Sequence, residues 1–335
     1  MILVTGGTGL VGSHLLYNLM QKCSSVRAIH RKSSDLKNVQ KVFSYYTDAA
    51  QKLFDKIEWV EADITDIPAL ESVFKDIDYV YHCAALISFD PKDYNKLRNI
   101  NTKGTANIVN LCLAQNIKKL GYISSIAAIG KKEGTPLIDE EAEWNDENAS
   151  GYSLTKYAAE LEVWRGTQEG LDAVIINPGF ILGPGFWKEG SGLFFSQAAK
   201  GLRYCPPSGS GFVSVTDVVK MIVNLMESTI VNENFIAVGE NQSFKEILSK
   251  IAQSLGKPIP KKELKRRHLY LLFYFDWIRK LLTGKKPRVT KNSLHSLNHF
   301  YKYDTRKIRE QLNFKFEDLE DTIAFTSARF LEEKS

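Results

Sequence analysis

Tyr152 and Lys156 stand four residues apart in Ser150-Gly151-Tyr152-Ser153-Leu154-Thr155-Lys156, so on a helix both side chains face the same way. A phenol with an ordinary pKa near 10 exchanges protons poorly at neutral pH; an ammonium beside it stabilises the phenolate and lowers that value. The pair therefore suits acid–base work on a hydroxyl or a carbonyl. Upstream, Tyr122-Ile123-Ser124-Ser125 ends an apolar run with hydroxyls, one of which could orient a substrate oxygen. Each pattern alone is common. Tyr-x-x-x-Lys recurs on amphipathic helices, and a serine at a strand end is usually a turn residue.

A second cluster has the types needed to bind a dinucleotide. Thr5-Gly6-Gly7-Thr8-Gly9-Leu10-Val11-Gly12 follows an apolar run and opens a helical pattern. In such a turn Gly6 permits the tight bend, Gly9 lets the backbone approach a pyrophosphate, and Gly12 lets helix and strand pack closely. The helix start at Leu10 and Val11 then offers free N–H groups and partial positive charge to the phosphates. The second strand ends in His30-Arg31-Lys32, with two cations where an acid would hold a ribose 2′-hydroxyl. Arg31, with Lys32, favours a 2′-phosphate, so NADP is expected over NAD. Asp63 could accept a bond from the adenine amino group, and the small Ala84-Ala85 pair would let the cofactor lie against the backbone. Both also have plain uses, as a turn residue and as close packing.

These residues need elements to hold them. Six short apolar runs (1–5, 26–30, 57–60, 77–82, 120–124 and 173–177) alternate with helical stretches. Runs apolar on both faces and spaced by helices indicate a parallel sheet covered on both sides, a Rossmann-type doubly wound α/β fold. After residue 178 the rhythm breaks into Gly- and Pro-rich loops. Phe212–Val215 and Asn234–Val238 read as strands returning to the sheet. Ser243-Phe244-Lys245-Glu246 has the capping-box pattern at the start of a helix. The expected organisation is a nucleotide-binding domain over 1–177 plus the returning segment 212–240. A smaller, mostly helical C-terminal substrate lobe would come from 178–211 and 241–335.

Composition narrows the function classes. Hydrophobic residues make up 44% and charged residues 25%, the mixture of an ordinary globular protein and not of a disordered chain. The formal net charge of +5 is too small an excess to point to nucleic acid. Cys23, Cys83, Cys112 and Cys205 lie far apart with no zinc-ligand spacing, and His14, His30 and His82 form no i,i+4 pair. No metal site is expected, and reduced thiols fit a cytoplasmic protein. No apolar run reaches about 18 residues, so no spanning helix is expected, nor is there a signal-peptide pattern. Residues 261–288 surround an apolar, aromatic core with basic clusters. Membrane contact by 264–282 is one reading; a helix lining an apolar substrate pocket is the preferred one.

Taken together, the chain resembles the extended short-chain dehydrogenase/reductases, in the NAD-dependent epimerase/dehydratase superfamily. The resemblance is carried by Thr5–Gly12, Asp63-Ile64, His82–Ala85, Asn101–Thr105, Ser124-Ser125, Tyr152–Lys156 and Asn177-Pro178-Gly179, in the family's order over about half the chain. HCAALISFDP (82–91), YISSIAAIG (122–130), INPGFILGPG (176–185) and YDTRKIREQLNF (303–314) are most similar to the dihydroflavonol 4-reductase-like branch, which shades into the 3β-hydroxysteroid dehydrogenase-like proteins. The resemblance implies NADPH-dependent reduction of a ketone or aldehyde. Tyr152 would be the acid/base, Lys156 would lower its pKa and hold the nicotinamide ribose, and Ser125 would orient the reacting oxygen. Asn101 would support a water-linked proton path. Thr8, Ile64 and Pro178–Ile181, with Gly179 between, would border the cofactor. A homodimer through helices near 95–115 and 150–168 and a small, apolar carbonyl substrate are further implications.

Two other functions fit the same fold. Nucleotide-sugar epimerases share the Asn before Pro178, but they carry an arginine where this chain has Ser210, before Val215-Thr216-Asp217. Dehydratases place Asp-Glu where Ile126-Ala127 follow Ser125. A regulatory NADP-binding protein would usually have lost Tyr152 or Lys156, and this chain keeps both.

Overall fold

In the computed structural model of the protein, the described residues are 1–23, 25–130, 137–147, 149–264 and 300–334. Strands β1 (Ile2–Thr5), β2 (Val26–His30), β3 (Glu58–Glu61), β4 (Tyr79–His82), β5 (Lys119–Ile123) and β6 (Ala173–Pro178) match the six apolar runs. Strand β7 (Phe180–Leu182) follows directly. The later strands are β8 (Tyr204–Cys205), β9 (Gly209–Ser214), β10 (Glu233–Ala237), β11 (Glu240–Ser243) and β12 (Lys262–Glu263). The central sheet has seven strands in the order β10-β6-β5-β4-β1-β2-β3, and every neighbouring pair is parallel. This is the doubly wound α/β arrangement, and the strand order reverses between β1 and β4.

The helices between the strands follow from apolar spacing and caps. They are α1 (Leu10–Lys22), α2 (Leu36–Ser44), α3 (Ala50–Phe54), α4 (Ile67–Val73), α5 (Tyr94–Leu97), α6 (Gly104–Ala114) and α7 (Gly151–Gln168). Asp35 caps α2 by accepting from the Lys37 and Asn38 amides, and Ser150 caps α7 by accepting from Ser153. Successive residues of one strand feed opposite faces of the sheet: Val174 and Ile176 enter one apolar cluster with Leu15, Leu16 and Val219, while Ala173 and Ile175 enter another with Ile108 and Val163. Burial on both faces explains why the central strands β5 and β6 read as unbroken apolar runs and not as alternating ones, whereas the edge strand β3 is only half-buried.

The returning segment departs from expectation in one part. Residues 234–238 do rejoin the large sheet, as β10 beside β6. Phe212–Val215 do not. Residues 209–214, as β9, pair antiparallel with β11 and parallel with β7 in a separate three-stranded sheet. The Gly-rich stretch at 209–211 allows that layer to sit close, since a Cβ at Gly179 would lie 2.3 Å from the Gly211 carbonyl oxygen. Of the later helices α8 (Gly192–Ala198), α9 (Val215–Glu227), α10 (Phe244–Ser254), α11 (Arg306–Leu312) and α12 (Leu319–Glu332), α9 packs on the large sheet against α1, β5 and β6 and α11 against β10, while α8, α10 and α12 complete the smaller layer. Its core joins Leu182, Phe195, Phe212, Ile247, Leu319 and Phe330. The capping box forms as its sequence predicts, with Ser243 accepting from the Glu246 amide at 3.1 Å and Glu246 accepting from Ser243 N at 2.8 Å. Among the described residues no helix is long and apolar enough to cross a membrane. From residue 265 on, the 264–282 segment lies outside the described residues.

Candidate active site

The crevice at the reversal point is built by the glycine turn after β1 and the residues after β4. Thr5 and His82 are register partners, so the two loops start side by side. Gly6 has φ +69°, a left-handed conformation that L side chains resist, and a Cβ there would lie 2.5 Å from the Ala84 amide nitrogen. Gly12 is still more confined: a Cβ would lie 2.1 Å from the Gly6 carbonyl oxygen. Gly9 differs. The closest protein atom to a Cβ there is the Gly6 oxygen at 3.5 Å, an ordinary contact. The protein therefore does not need glycine at position 9 for its own packing, whereas a ligand approaching the backbone would. No side chain caps the first turn of α1, so its N–H groups at Leu10, Val11 and Gly12 face the crevice end of the helix uncapped. Both features fit the pyrophosphate of a dinucleotide.

Thr8 of this turn donates to the Ser34 hydroxyl at 3.4 Å, and Ser34 closes a turn with Arg31 through two bonds, N–H to Arg31 O at 2.9 Å and Oγ from Arg31 N at 3.1 Å. Arg31 and Lys32 are thus exposed and held next to the glycine turn, and Arg31 carries no ion pair among the described residues. Ser34 is a contributor that sequence reading missed. Asp63 uses one oxygen to accept from the Thr65 amide and hydroxyl, at 2.9 and 2.7 Å. Ile64 is turned into the core, where it fills the space above Gly104. Ala84 abuts Gly6, Ala85 is exposed, and Gly179 donates to the Ala237 carbonyl at 3.1 Å. Pro178 is buried and Ile181 is half-buried beside it in β7.

The reactive set lies at the end of β5 and the first turns of α7. Ser125 begins a short 3-10 turn by accepting from the Ala127 amide at 3.1 Å, which leaves its hydroxyl hydrogen available to donate. Tyr152 is buried, and burial pushes its phenol up to about 12, with the adjoining Ser125 hydroxyl working the other way. Phe89 packs edge-on to Tyr152, ring centres 5.7 Å apart, while remaining 58% exposed. Lys156 is fully buried and donates to the Tyr122 hydroxyl at 2.6 Å and to the Ile123 carbonyl at 3.0 Å. Its nitrogen also stands 4.3 Å from the centre of the Tyr122 ring. Tyr122 was legible in the sequence only as part of a strand. The Lys156 nitrogen is bonded to its hydroxyl here.

Asn101 sits in a π-helical turn (Arg98–Lys103) between α5 and α6. Its side chain accepts from the Leu86 amide at 2.7 Å and donates to the Leu86 carbonyl at 3.0 Å and to Thr155 at 3.2 Å. It ties the loop after β4 to α7. His82 is a satisfied core histidine: Nδ1 pairs with Thr5 at 2.6 Å, Nε2 with Thr105 at 3.0 Å, and burial lowers it to about 3. Two buried residues complete the interior, Glu160, which sequence reading passed over, and Asn177, which it noted only through the family resemblance. Glu160 is one turn beyond Lys156 on α7, and Asn177 donates both to Glu160 and to the Ser125 carbonyl, the latter at 3.1 Å. The signal for Glu160 was its i+4 and i+8 spacing from Lys156 and Tyr152, which puts a carboxylate on the same face. No cluster of metal-binding side chains occurs among the described residues.

The fold and the crevice define a Rossmann-type dinucleotide-binding protein with a Tyr–Lys pair beside the binding turn. The sequence profile described as the NAD dependent epimerase/dehydratase family matches residues 2–239, and the chain belongs to that family of nicotinamide-dependent enzymes. It is 29% identical over 333 residues, covering 96% of this chain and 92% of its relative, to a putative dihydroflavonol 4-reductase of Synechocystis sp.. Among solved structures it is similar to gox2253, with a TM-score of 0.82, 25% identity and coverage of 99% of this chain and 98% of that one. It shares the fold of DesIV, a dTDP-glucose 4,6-dehydratase from Streptomyces venezuelae with NAD bound, at a TM-score of 0.77, 18% identity and coverage of 99% and 97%.

Proposed function

We propose that the protein is an NADP(H)-dependent reductase of a ketone or aldehyde, with Tyr152 as the acid/base. The observation that supports this reading is that Tyr152 and Lys156 share one face of α7, the Tyr152 phenol against the Ser125 hydroxyl and the Lys156 nitrogen bonded to Tyr122 on the strand that leads into Ser125. Gly9, the free N–H groups of α1 and the Arg31–Ser34 turn would hold the nucleotide, with Arg31 toward a 2′-phosphate. Bound NADPH supplies the hydride taken up at the carbonyl carbon. Ser125 donates to the carbonyl oxygen and fixes it, and Tyr152 gives that oxygen its proton, leaving an alcohol and a phenolate. The Lys156 ammonium, one helical turn from Tyr152 on the same face of α7, supplies the positive charge that stabilises that phenolate. The exposed Phe89 ring against Tyr152 favours an apolar substrate at this mouth.

A nucleotide sugar is less well served. Asn177 is fully buried and its amide is committed to Glu160 and Ser125, so it offers nothing to a diphosphate. Ser210, in β9, stands where an epimerase would carry its arginine, and Ile126 follows Ser125 where a dehydratase would carry an acid. The relative named as a putative dihydroflavonol 4-reductase adds support.

The test is to follow NADPH oxidation against panels of ketones, aldehydes and nucleotide sugars, then to compare Tyr152→Phe on the best substrate. The variant should keep its NADPH affinity and lose at least about a hundredfold in kcat. Turnover near that of the wild type would end the proposal.

A further inference from the structure

A buried carboxylate lies directly behind the Tyr–Lys pair, and the reaction proposed above makes no direct use of it. Glu160 is 4% exposed and Lys156 is 1% exposed, one helical turn apart on α7. A lone charge so deep in a protein is costly, and an ammonium left without a counter-charge gives up its proton more readily. The groups that face Lys156 from the surrounding elements are few. Strand β5 presents the Tyr122 hydroxyl, and the phenol is held neutral because burial raises its pKa far beyond the usual range. From β4 and the residue after it come His82, kept neutral by burial, and Cys83, whose thiol burial pushes up to about 12. On α7 itself Tyr152 is a neutral phenol. Glu160 is the one carboxylate acting on Lys156 among the described residues: burial lowers the Lys156 ammonium and raises the Glu160 carboxyl, and each works against the other's shift, with Ser124 and Asn177 helping to keep Glu160 ionised.

The same carboxylate has a second attachment. It accepts from the Asn177 amide, whose other bond goes to the Ser125 carbonyl at 3.1 Å. Strand β6, which carries Asn177, runs beside β5, which leads into Ser125. A rigid link therefore runs from Glu160 through Asn177 to the turn that presents the Ser125 hydroxyl.

We infer that Glu160 is a positioning residue of this site: it is the buried counter-charge that holds Lys156 as an ammonium and, through Asn177, it anchors the Ser125 turn. This rests on the reductase reading for its effect on turnover but not for the pairing itself. Removing one member of a buried pair leaves the other uncompensated, whereas removing both does not. That difference supplies a test independent of catalysis.

Thermal unfolding of the purified full chain should be compared for the wild type, Glu160→Gln, Lys156→Met and the double variant. The melting temperature of the double variant should lie above the value expected by adding the two single losses. If Glu160→Gln alone does not fold, adding Lys156→Met should restore folding. Additive losses, or no rescue, would overturn the pairing. With a carbonyl substrate in hand, Glu160→Gln should move the alkaline limb of the kcat/KM profile down by at least about one pH unit, a tenfold weakening of proton affinity at Lys156. In a Lys156→Arg background the guanidinium stays charged at any working pH, so adding Glu160→Gln should leave that limb in place. An unmoved limb in the native background, or an equal shift in the arginine background, would overturn the role in holding the charge. Absence of turnover on every carbonyl would defeat the reductase reading and leave the unfolding cycle to decide the pairing.

Discussion

Lys156 donates to the Tyr122 hydroxyl at 2.6 Å, joining the middle of α7 to the strand that ends at Ser125. The bond satisfies part of a fully buried ammonium, and a hydrogen bond to a charged group is among the stronger ones in a protein interior. Tyr122→Phe keeps the ring, its stacking on His82 and the ring's contact with the cation, and removes only the acceptor. We expect a loss of about 1–3 kcal/mol in urea unfolding, the range for a buried polar group deprived of its partner. A change within experimental error would show that the hydroxyl does not matter to Lys156.

The two inner glycines of the binding turn should fail in different ways. At Gly12 a methyl group would collide with the Gly6 carbonyl 2.1 Å away, so Gly12→Ala should lower the melting temperature, with a cost of at least about 1–3 kcal/mol for forced overpacking. At Gly9 the methyl group meets only an ordinary 3.5 Å contact. Gly9→Ala should therefore fold as well as the wild type and lose at least about tenfold in NADPH affinity, because the added carbon occupies the space of the pyrophosphate. Fluorescence titration beside calorimetry separates the two, and unchanged NADPH binding in Gly9→Ala would place the cofactor elsewhere.

Cofactor choice turns on Arg31. Its turn is bonded to Thr8 through Ser34, so the Arg31 backbone is held beside the glycine turn. Arg31→Asp should weaken NADPH much more than NADH, since it removes a cation from a phosphate and adds a repelling charge. Equal losses for the two nucleotides would show that Arg31 does not read the 2′-phosphate.

Stability should fall on the acid side through the buried histidines. Burial lowers His14 to about 4 and His82 to about 3, from an unfolded value near 6.5. The unfolded chain takes up these protons first, so stability present above pH 6.5 is lost as pH falls through the folded values. Each histidine steepens the slope by up to about 1.4 kcal/mol per pH unit in that window. His14→Asn, which can still donate to the Leu10 carbonyl that now holds His14 Nδ1 at 2.8 Å, should flatten the slope between pH 6.5 and 4 by about that amount. Parallel curves for the two proteins in urea titrations across this range would refute the assignment.

Much of this site is local in origin and could be read from spacing. A four-residue interval on a helix puts Tyr152, Lys156 and also Glu160 on one face whatever the rest of the chain does, and short runs apolar on both faces announce a covered parallel sheet. The glycine intervals at 6, 9 and 12 belong to a single turn and carry their meaning with them. Other features come from segments far apart in the chain. Whether Lys156 meets Tyr122, and whether Asn177 reaches both Glu160 and Ser125, depends on the parallel register of β4, β5 and β6, which no short pattern encodes. The return of residues 209–214 illustrates the same limit: an apolar run can pair with any open edge, and here the closeness allowed by Gly179 and Gly211 sends it to β7 and not to the large sheet. The amino-acid order thus determined which groups the crevice would hold. Only the packed structure decided their partners, because burial and hydrogen bonding are properties of neighbours that folding brings together.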